Sequence, residues 1–308
     1  MKKKQIKTPS GINPVSFVDQ VRTRLGRKAN SQRELTYLNL RDDHLNSVLG
    51  DPKLGLFYGQ IVEISGKQSN GKSALAYDIA ALAQSEGAFA HWIDFERSYN
   101  ESWAARRGLD SEKVNLFQPY VGKFKGEKDS RLCTAQELLE EAEAVLVEVH
   151  QRFPAAKQIL ILDSVGAMLV EEEAEAGLTG QNMRTNAALP VMLGKLLRRW
   201  IGILGEVNCI GIFLNQLRTK PGMMFGDPDY TMGGNALPFY AHSRARMRRV
   251  KGGRVLQKGK VVGIKGILRN DKNKAGGVEG HEIGFKIMFN GASKFFDAAE
   301  FREEEPKK

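Results

Sequence analysis

The sequence predicts an α/β fold, a largely parallel central sheet with helices on its faces and a small helical segment ahead of it. Three observations carry this. A β-branched run (Ile61, Val62, Ile64) meets a glycine loop that opens an Ala/Leu-rich helical stretch. From Gly59 onward short apolar runs alternate with helical ones, the rhythm of strands joined by crossover helices. The last third changes to closely spaced, glycine-punctuated strands typical of a β-meander. At 308 residues, 42% hydrophobic and 27% charged, the chain has the length for one large domain and an appendage.

Taken in order, residues 1 to about 14 read as a basic tail without the apolar stretch of a secretory signal. Phe17, Val18, Val21 and Leu25 then fall at helical spacing and predict a small amphipathic helix, able to cap its own core or to dock on another subunit. Residues 28–34 read as a linker, and Asp42 to Leu49 as a short helix stopped by Gly50-Asp51-Pro52. The expected layout is an N-terminal tail and helix over 1–45, a core over 46–300 and a short charged tail over 301–308. Core strands are expected at Gln60–Ser65, Ala88–Asp94, Val114–Phe117, Gln158–Asp163 and Cys209–Leu214. Helices are expected at Lys72–Ser85, Asn100–Arg107, Thr134–Arg152 and Asn186–Val207, and meander strands at Arg244–Val250, Val261–Asn270 and His281–Phe289. Two stretches without periodicity, from Glu171 to Asn182 and from Leu217 to Leu237, read as structureless inserts, either functional or disordered.

Composition excludes several classes. No run of eighteen apolar residues exists, so no membrane span is expected. Cys133 and Cys209 are far apart and the five histidines are scattered, which argues against a disulfide framework or a zinc site and suits a reducing, cytoplasmic location. The net charge of +10 is concentrated: from Ala241 to Lys274 twelve basic residues face one acid, a net of +11. A segment this cationic implies a polyanion or an acidic neighbouring subunit as partner, the alternative being a solvated basic face.

The chemistry begins at Gly66-Lys67-Gln68-Ser69-Asn70-Gly71-Lys72-Ser73, a P-loop with the required strand before it and helix after it. Its glycines let backbone N–H groups and the helix N-terminus face a phosphate chain; Lys72 supplies a cation and Ser73 a hydroxyl for Mg²⁺. Ile159-Leu160-Ile161-Leu162-Asp163 has the Walker B form, in which a buried strand delivers a carboxylate to the Mg²⁺ shell beside Ser73. ATP hydrolysis needs a group that activates water, and Glu96, just past the strand ending in Asp94, is the candidate, with Asp94 its rival. The pair Asn215-Gln216 ends another strand, where an uncharged amide can report a γ-phosphate without adding charge.

These residues resemble the RecA family of bacterial recombinases over about Gly59 to Phe296. The resemblance rests on Ile93-Asp94-Phe95-Glu96, Asp163-Ser164-Val165, Asn215-Gln216-Leu217-Arg218, Met224-Phe225-Gly226-Asp227-Pro228, Gly233-Gly234-Asn235-Ala236-Leu237 and Lys272-Asn273-Lys274. It implies a RecA-like P-loop ATPase core, with residues 1–45 as a polymerisation segment and DNA-binding loops at about 171–184 and 217–237. ATP and Mg²⁺ would be the cofactors. Gly66 to Ala74, Asn100, Trp103 and Asp163 would bind nucleotide, while Glu96, Lys72 and Gln216 would act in catalysis. Arg244, Lys272 and Lys274 would reach the ATP of the adjacent subunit in a helical filament. Met183, Arg198, Arg218, Phe225, Gly233, Gly234 and Asn235 would face DNA. The implied function is a DNA-dependent ATPase that forms filaments on single-stranded DNA and exchanges strands with duplex DNA. An accessory filament protein without strand exchange and a hexameric DNA motor are the alternatives. The chain departs from the family pattern at Trp103 (commonly tyrosine), Pro221 (commonly bulky and apolar) and Pro238 (commonly lysine). Because the sequence ends soon after Phe296, a compact form without the family's C-terminal domain is expected, of the kind a phage or mobile element would carry.

Overall fold

The computed structural model describes residues 20–21, 23–25, 35–124, 128–177, 183–219 and 229–303. The chain divides into two compact units, Met1–Thr36 and Tyr37–Lys308. In the first, residues 20, 21, 23 and 24 are helical and the Leu25 N–H donates to the Val21 carbonyl at 3.0 Å. Phe17, Val18 and the linker at 28–34 lie outside the described residues.

The second unit begins with β1 (Tyr37–Leu38), α1 (Asp43–Leu49) and β2 (Leu56–Phe57). Asp42 caps α1 by accepting from the Leu45 N–H at 2.9 Å. The core therefore starts at Tyr37 rather than at 46: β1 pairs with β2, and Asn273 of the meander donates to the Gly50 carbonyl at 2.8 Å. Next come β3 (Ile61–Gly66), α2 (Lys72–Ser85), β4 (Phe89–Asp94), α3 (Glu101–Arg106) and β5 (Val114–Phe117). A two-stranded hairpin of β6 (Val121–Gly122) and β7 (Arg131–Leu132) precedes α4 (Ala135–Arg152), which starts with a Thr134/Glu137 capping box. The chain continues through β8 (Gln158–Asp163), α5 (Glu171–Ala176), α6 (Met183–Glu206), β9 (Cys209–Thr219), β10 (Asp229–Thr231) and α7 (Ala236–Tyr240). It closes with β11 (Ser243–Gln257), β12 (Lys260–Asn273), β13 (Glu282–Met288), β14 (Ser293–Asp297) and α8 (Ala299–Glu303).

One sheet of ten strands organises the unit, in the order β14-β13-β12-β11-β3-β9-β8-β4-β5, with β10 paired to β9. From β11 to β5 every neighbouring pair is parallel, and from β11 to β14 every pair is antiparallel. The expected fold class is thus the observed one. Both faces of the parallel half are covered, which is why its strands read as continuous apolar runs. In β8, Ile159 and Ile161 join a core with α1 and α2, while Leu160 and Leu162 join a second core with α4 and α6. Alternate residues point to opposite faces, so one short run serves both cores.

The expected structureless inserts are corrected at their ends. Glu171–Ala176 is helical: Glu171, Glu172 and Glu173 occupy its first turn, where the helix dipole favours negative charge, and the Glu173 and Ala174 N–H groups both donate to the Val170 carbonyl at 3.0 Å. Helix α6 begins at Met183 rather than Asn186 and carries Pro190 within it, anchored by the buried stripe Leu189, Leu193, Leu197 and Trp200. Leu217–Thr219 extends β9 and pairs with β10, closed by a 2.6 Å bond from Thr219 Oγ1 to Asp229. Residues 220–228 lie outside the described residues. At the C-terminal end β14 and α8 add to the meander: Phe296 lies over Gly284, where a Cβ would come within 2.3 Å of its ring, and Phe301 packs on Phe296. The segment 301–308 therefore starts inside a helix. No helix among the described residues is long and apolar enough to cross a membrane.

Two buried polar groups give measurable consequences. Arg107 Nη1 donates to both Asp78 carboxylate oxygens at 2.7 and 2.9 Å and to Ser293 Oγ at 3.1 Å, and Nη2 donates to the Met288 carbonyl at 3.2 Å. It ties α2 to the far meander. Burial pushes the Asp78 carboxyl up, and the Arg107 guanidinium opposes this. Arg107→Ala should lower stability by about 3–5 kcal/mol because Asp78 is left with a poorly compensated charge; a urea midpoint close to that of the parent would refute the assignment.

His91 is buried between Gln158 Oε1 (3.0 Å) and Asn115 Nδ2 (3.1 Å), and burial pushes its pKa down to about 4. An unfolded histidine titrates near 6.5, so as pH falls from about 6.5 to 4 the unfolded chain takes up the proton first. Stability should fall by up to about 3 kcal/mol across that window on this account. His91→Gln should flatten the curve of unfolding free energy against pH, and parallel curves would rule His91 out as the source.

Candidate functional site

The site is built at the C-terminal edge of the parallel strands. Gly66 ends β3 so close to β11 that a Cβ would stand 2.7 Å from the Met247 carbonyl. Lys67, Gln68 and Ser69 are exposed, and Ser69 takes a positive φ of 60°. Asn70 is buried and donates to the Met247 carbonyl at 2.9 Å, pinning the loop to β11. Gly71, at φ 97°, occupies the N-cap of α2 and gives it no side-chain cap; a Cβ there would meet Ile287 Cδ1 at 2.8 Å. The first N–H groups of α2 are left to face an anion. Ala74, in the first turn of α2, is buried.

Lys72 is buried and Nζ donates to the Gly66 carbonyl at 3.0 Å and the Lys67 carbonyl at 3.2 Å. An ammonium has three donors, so one remains for a phosphate among the described contacts. Burial pushes its pKa down, opposed by Asp163 and Glu96. Ser73 Oγ donates to Asp163 Oδ2 at 2.8 Å. Burial pushes the Asp163 carboxyl up to about 6, against the Ser73 bond, with Glu96 and Asp94 adding to the rise.

The rival carboxylates separate on geometry. Asp94 is fully buried and accepts from the Ser98 N–H (3.0 Å), the Tyr99 N–H (2.8 Å) and Gln118 Nε2 (2.8 Å). It holds the turn after β4. Glu96 is exposed, and its Oε1 accepts from Ser164 Oγ and from Gln216 Nε2, the latter at 2.8 Å. Glu96, Lys72, Ser73, Asp163 and Gln216, expected from sequence to act together, lie at one edge of the sheet, and Ser164, given no role of its own, lies with them.

Beside the loop lies a cavity of about 420 Å³ walled by Trp103, Phe289, Ile264, Ile287 and Arg249. Trp103 carries the Arg107 guanidinium 4.8 Å from its ring centroid and the Arg106 guanidinium at 5.3 Å. Asn100 caps α3, accepting from the Trp103 N–H at 2.8 Å; it positions the ring from the helix N-terminus. Sequence reading missed the far wall. Phe289 ends an expected strand, but nothing local marks it as facing residues near 71, and Arg249 is indistinguishable within its basic run.

The remaining expected residues divide. Met183 is 90% exposed at the start of α6, Arg218 sits on the β9–β10 hairpin opposite Tyr230, and Gly234 and Asn235 are exposed before α7. Gly233 is buried at φ 85°, and a Cβ there would stand 2.6 Å from Leu193 Cδ2, so packing against α6 explains this glycine without a ligand. Arg198 does not join the group. It lies fifteen residues along α6 from Met183, about 22 Å by helical rise, with Nε donating to the Gly194 carbonyl of its own helix. Phe225 and Pro221 lie outside the described residues. Arg244 donates to Glu63 at 2.5 Å, and Lys272 donates to the Pro238 and Phe239 carbonyls at 2.7 and 2.9 Å. Lys274 follows on β12's end, its N–H on the His242 carbonyl.

The family model for the RecA N-terminal domain matches residues 15–293. Among curated proteins, Protein RecA of Clostridium botulinum (strain Eklund 17B / Type B) is 35% identical over 236 residues, covering 77% of this chain and 59% of that protein. Protein RecA of Geobacter sulfurreducens is 34% identical over 221 residues (71% and 58%), and that of Clostridioides difficile 32% over 244 residues (79% and 63%). The match thus spans roughly six-tenths of these relatives' length. With a P-loop, a Walker B carboxylate and a Glu96–Gln216 contact on the sheet edge, and with that match over most of its length, the chain belongs to the RecA family.

Proposed function

We propose that this chain is a DNA-dependent ATPase that assembles as a helical filament on single-stranded DNA and catalyses homologous pairing and strand exchange with duplex DNA, in the cytoplasm. The observation that carries the reading is the bond between Glu96 and Gln216. Gln216 belongs to β9, and β9 runs on into the hairpin with β10 whose tip lies in the expected second DNA loop. A change at the phosphate end of the site is thereby linked through one side chain to the root of that loop. The oxygen donors Ser73 and Asp163 fit a hard divalent cation, and they would hold Mg²⁺ with the nucleotide. Mg²⁺, when bound with ATP, offsets the charge on the phosphates.

The chain's own groups divide the work. The N–H groups of the loop and of the first turn of α2 cradle the phosphates, and Lys72 adds a cation. Glu96 positions and activates water, held in place by Ser164 and Gln216. Trp103 and Phe289 flank the base. Arg244, Lys272 and Lys274 serve the neighbouring subunit's nucleotide, with residues 1–36, the unit ahead of the core, as the polymerisation segment. Met183, Arg218, Gly234 and Asn235 face DNA, which is held mainly through phosphates and without sequence preference.

Lys72→Ala should abolish ATP binding. Glu96→Gln should keep it while lowering turnover about 100-fold or more, leaving filaments locked on DNA. Normal hydrolysis by Glu96→Gln would remove Glu96 from the water-activating role. Images of the protein with single-stranded DNA and a non-hydrolysable ATP analogue should show helical filaments, and a strand-exchange assay should yield joint molecules. DNA-stimulated ATP turnover without joint molecules would favour an accessory filament protein, and closed rings a DNA motor.

A further inference from the structure

The cavity beside the phosphate loop has two charged members among the described residues, Lys72 and Arg249. Lys72 lies under the loop, bound to two of its carbonyls. Arg249 comes from the opposite end of the chain, and the backbone is built to aim it. Along β11 and β12 the pairing runs without a slip from Ala245↔Asn270 to Arg249↔Gly266, then slips and resumes at Arg254↔Ile264. Two glycines make that slip possible. Gly252 has φ 67°, and at Gly253 a Cβ would stand 2.6 Å from the Lys265 carbonyl and 2.7 Å from the Val250 carbonyl. Bulges of this kind re-aim a side chain. Arg248, one residue earlier, turns to the other face and pairs with Glu282 at 3.4 Å.

We propose that Arg249 is a second cation of the nucleotide site acting within its own subunit, contacting the phosphate chain of the bound nucleotide from the β11 wall. This rests on the nucleotide-binding reading above. Arg249 is half-buried, and the one hydrogen bond its side chain makes among the described residues is from Nη2 to the Gly253 carbonyl, at 3.2 Å. A guanidinium has five N–H donors, so most are available to a ligand. The rest of that wall is apolar, made by Ile264, Ile287, Phe289 and Trp103. A cation set in such a wall is stabilised by an anion in the cavity, and a guanidinium matches phosphate oxygens as a fork.

The test is equilibrium binding of ADP, ATP and adenosine, with Mg²⁺, to the full-length chain by calorimetry. Arg249→Ala should weaken ADP and ATP about tenfold or more and leave adenosine unchanged, with Arg249→Lys intermediate. Arg249→Gln, which keeps a polar side chain of similar reach, serves where the alanine variant melts early, and it should show the same ADP loss. ADP and ATP binding at the parent affinity overturns the proposal, as does an equal loss for adenosine. Lys72→Ala separates the two readings: if it too leaves ADP binding intact, the nucleotide-binding reading fails; if it abolishes binding while Arg249→Ala does nothing, only the role of Arg249 fails.

Discussion

Parallel strands hydrogen-bonded in register must all finish on one edge of their sheet, and that constraint gathers the polar groups of this site from distant parts of the chain. Gly66 of β3 lies opposite Gln216 of β9, and Asp163 of β8 opposite Asp94 of β4. Glu96, two residues past the end of β4, is then within reach of Ser164 and Gln216. Register matters as much as order. A slip of one residue in β8 would exchange the faces of Ile161 and Leu162 and turn Asp163 away from Ser73. The two cores on either side of the sheet fix that register, so the packing of α2, α4 and α6 is indirectly what places the carboxylates.

Charge is held in the sheet as well as at its edge. Glu63 is fully buried in β3, with Oε2 on Arg244 of β11 and Oε1 on Asn215 Nδ2 at 3.0 Å. Asn215 also donates to the Met232 carbonyl at 3.0 Å, which joins the segment before α7 to the central strands. Removing one partner of such a cluster leaves a buried charge without compensation. Arg244 and Lys272 stand directly opposite one another on β11 and β12. Burial pushes the Lys272 ammonium down, and Lys274 and Arg244 push the same way. The carbonyls at the C-terminal end of α7 receive it. The dense cations of this region are thus oriented by specific acceptors.

What could be read from sequence was what local physics determines. The phosphate loop, the apolar run ending in Asp163 and the strand before Glu96 each carry their own signature within a few residues, and the helix Lys72–Ser85 was legible to both ends. Sequence already favoured Glu96 over Asp94, but what distinguishes the two carboxylates, the donors that surround each, is visible only in the structure. Gly233 looked like a ligand-facing glycine, yet it is buried and the space it saves is taken by Leu193 of α6, whereas Gly234 beside it is exposed. Arg249, Phe289 and Ile287 were silent because their partner is the loop near residue 71, a contact no window of sequence contains. The helix at Glu171–Ala176 escaped because it has no apolar stripe; dipole and terminal hydrogen bonds hold it.

The cavity wall has a further consequence, one of timing. Its floor comes from residues 69–74 and its far wall from Arg249, Ile264, Ile287 and Phe289, so the contacts that close it span roughly 200 residues. A chain emerging from the ribosome exposes the glycine loop long before Ile287 exists to fill the space beside Gly71. Loop-closure entropy must be overcome before any of these contacts forms. A small molecule seated between floor and far wall would bind the finished topology and by mass action stabilise it. Occupancy of the cavity would in that sense bear on the last strands as much as on the loop.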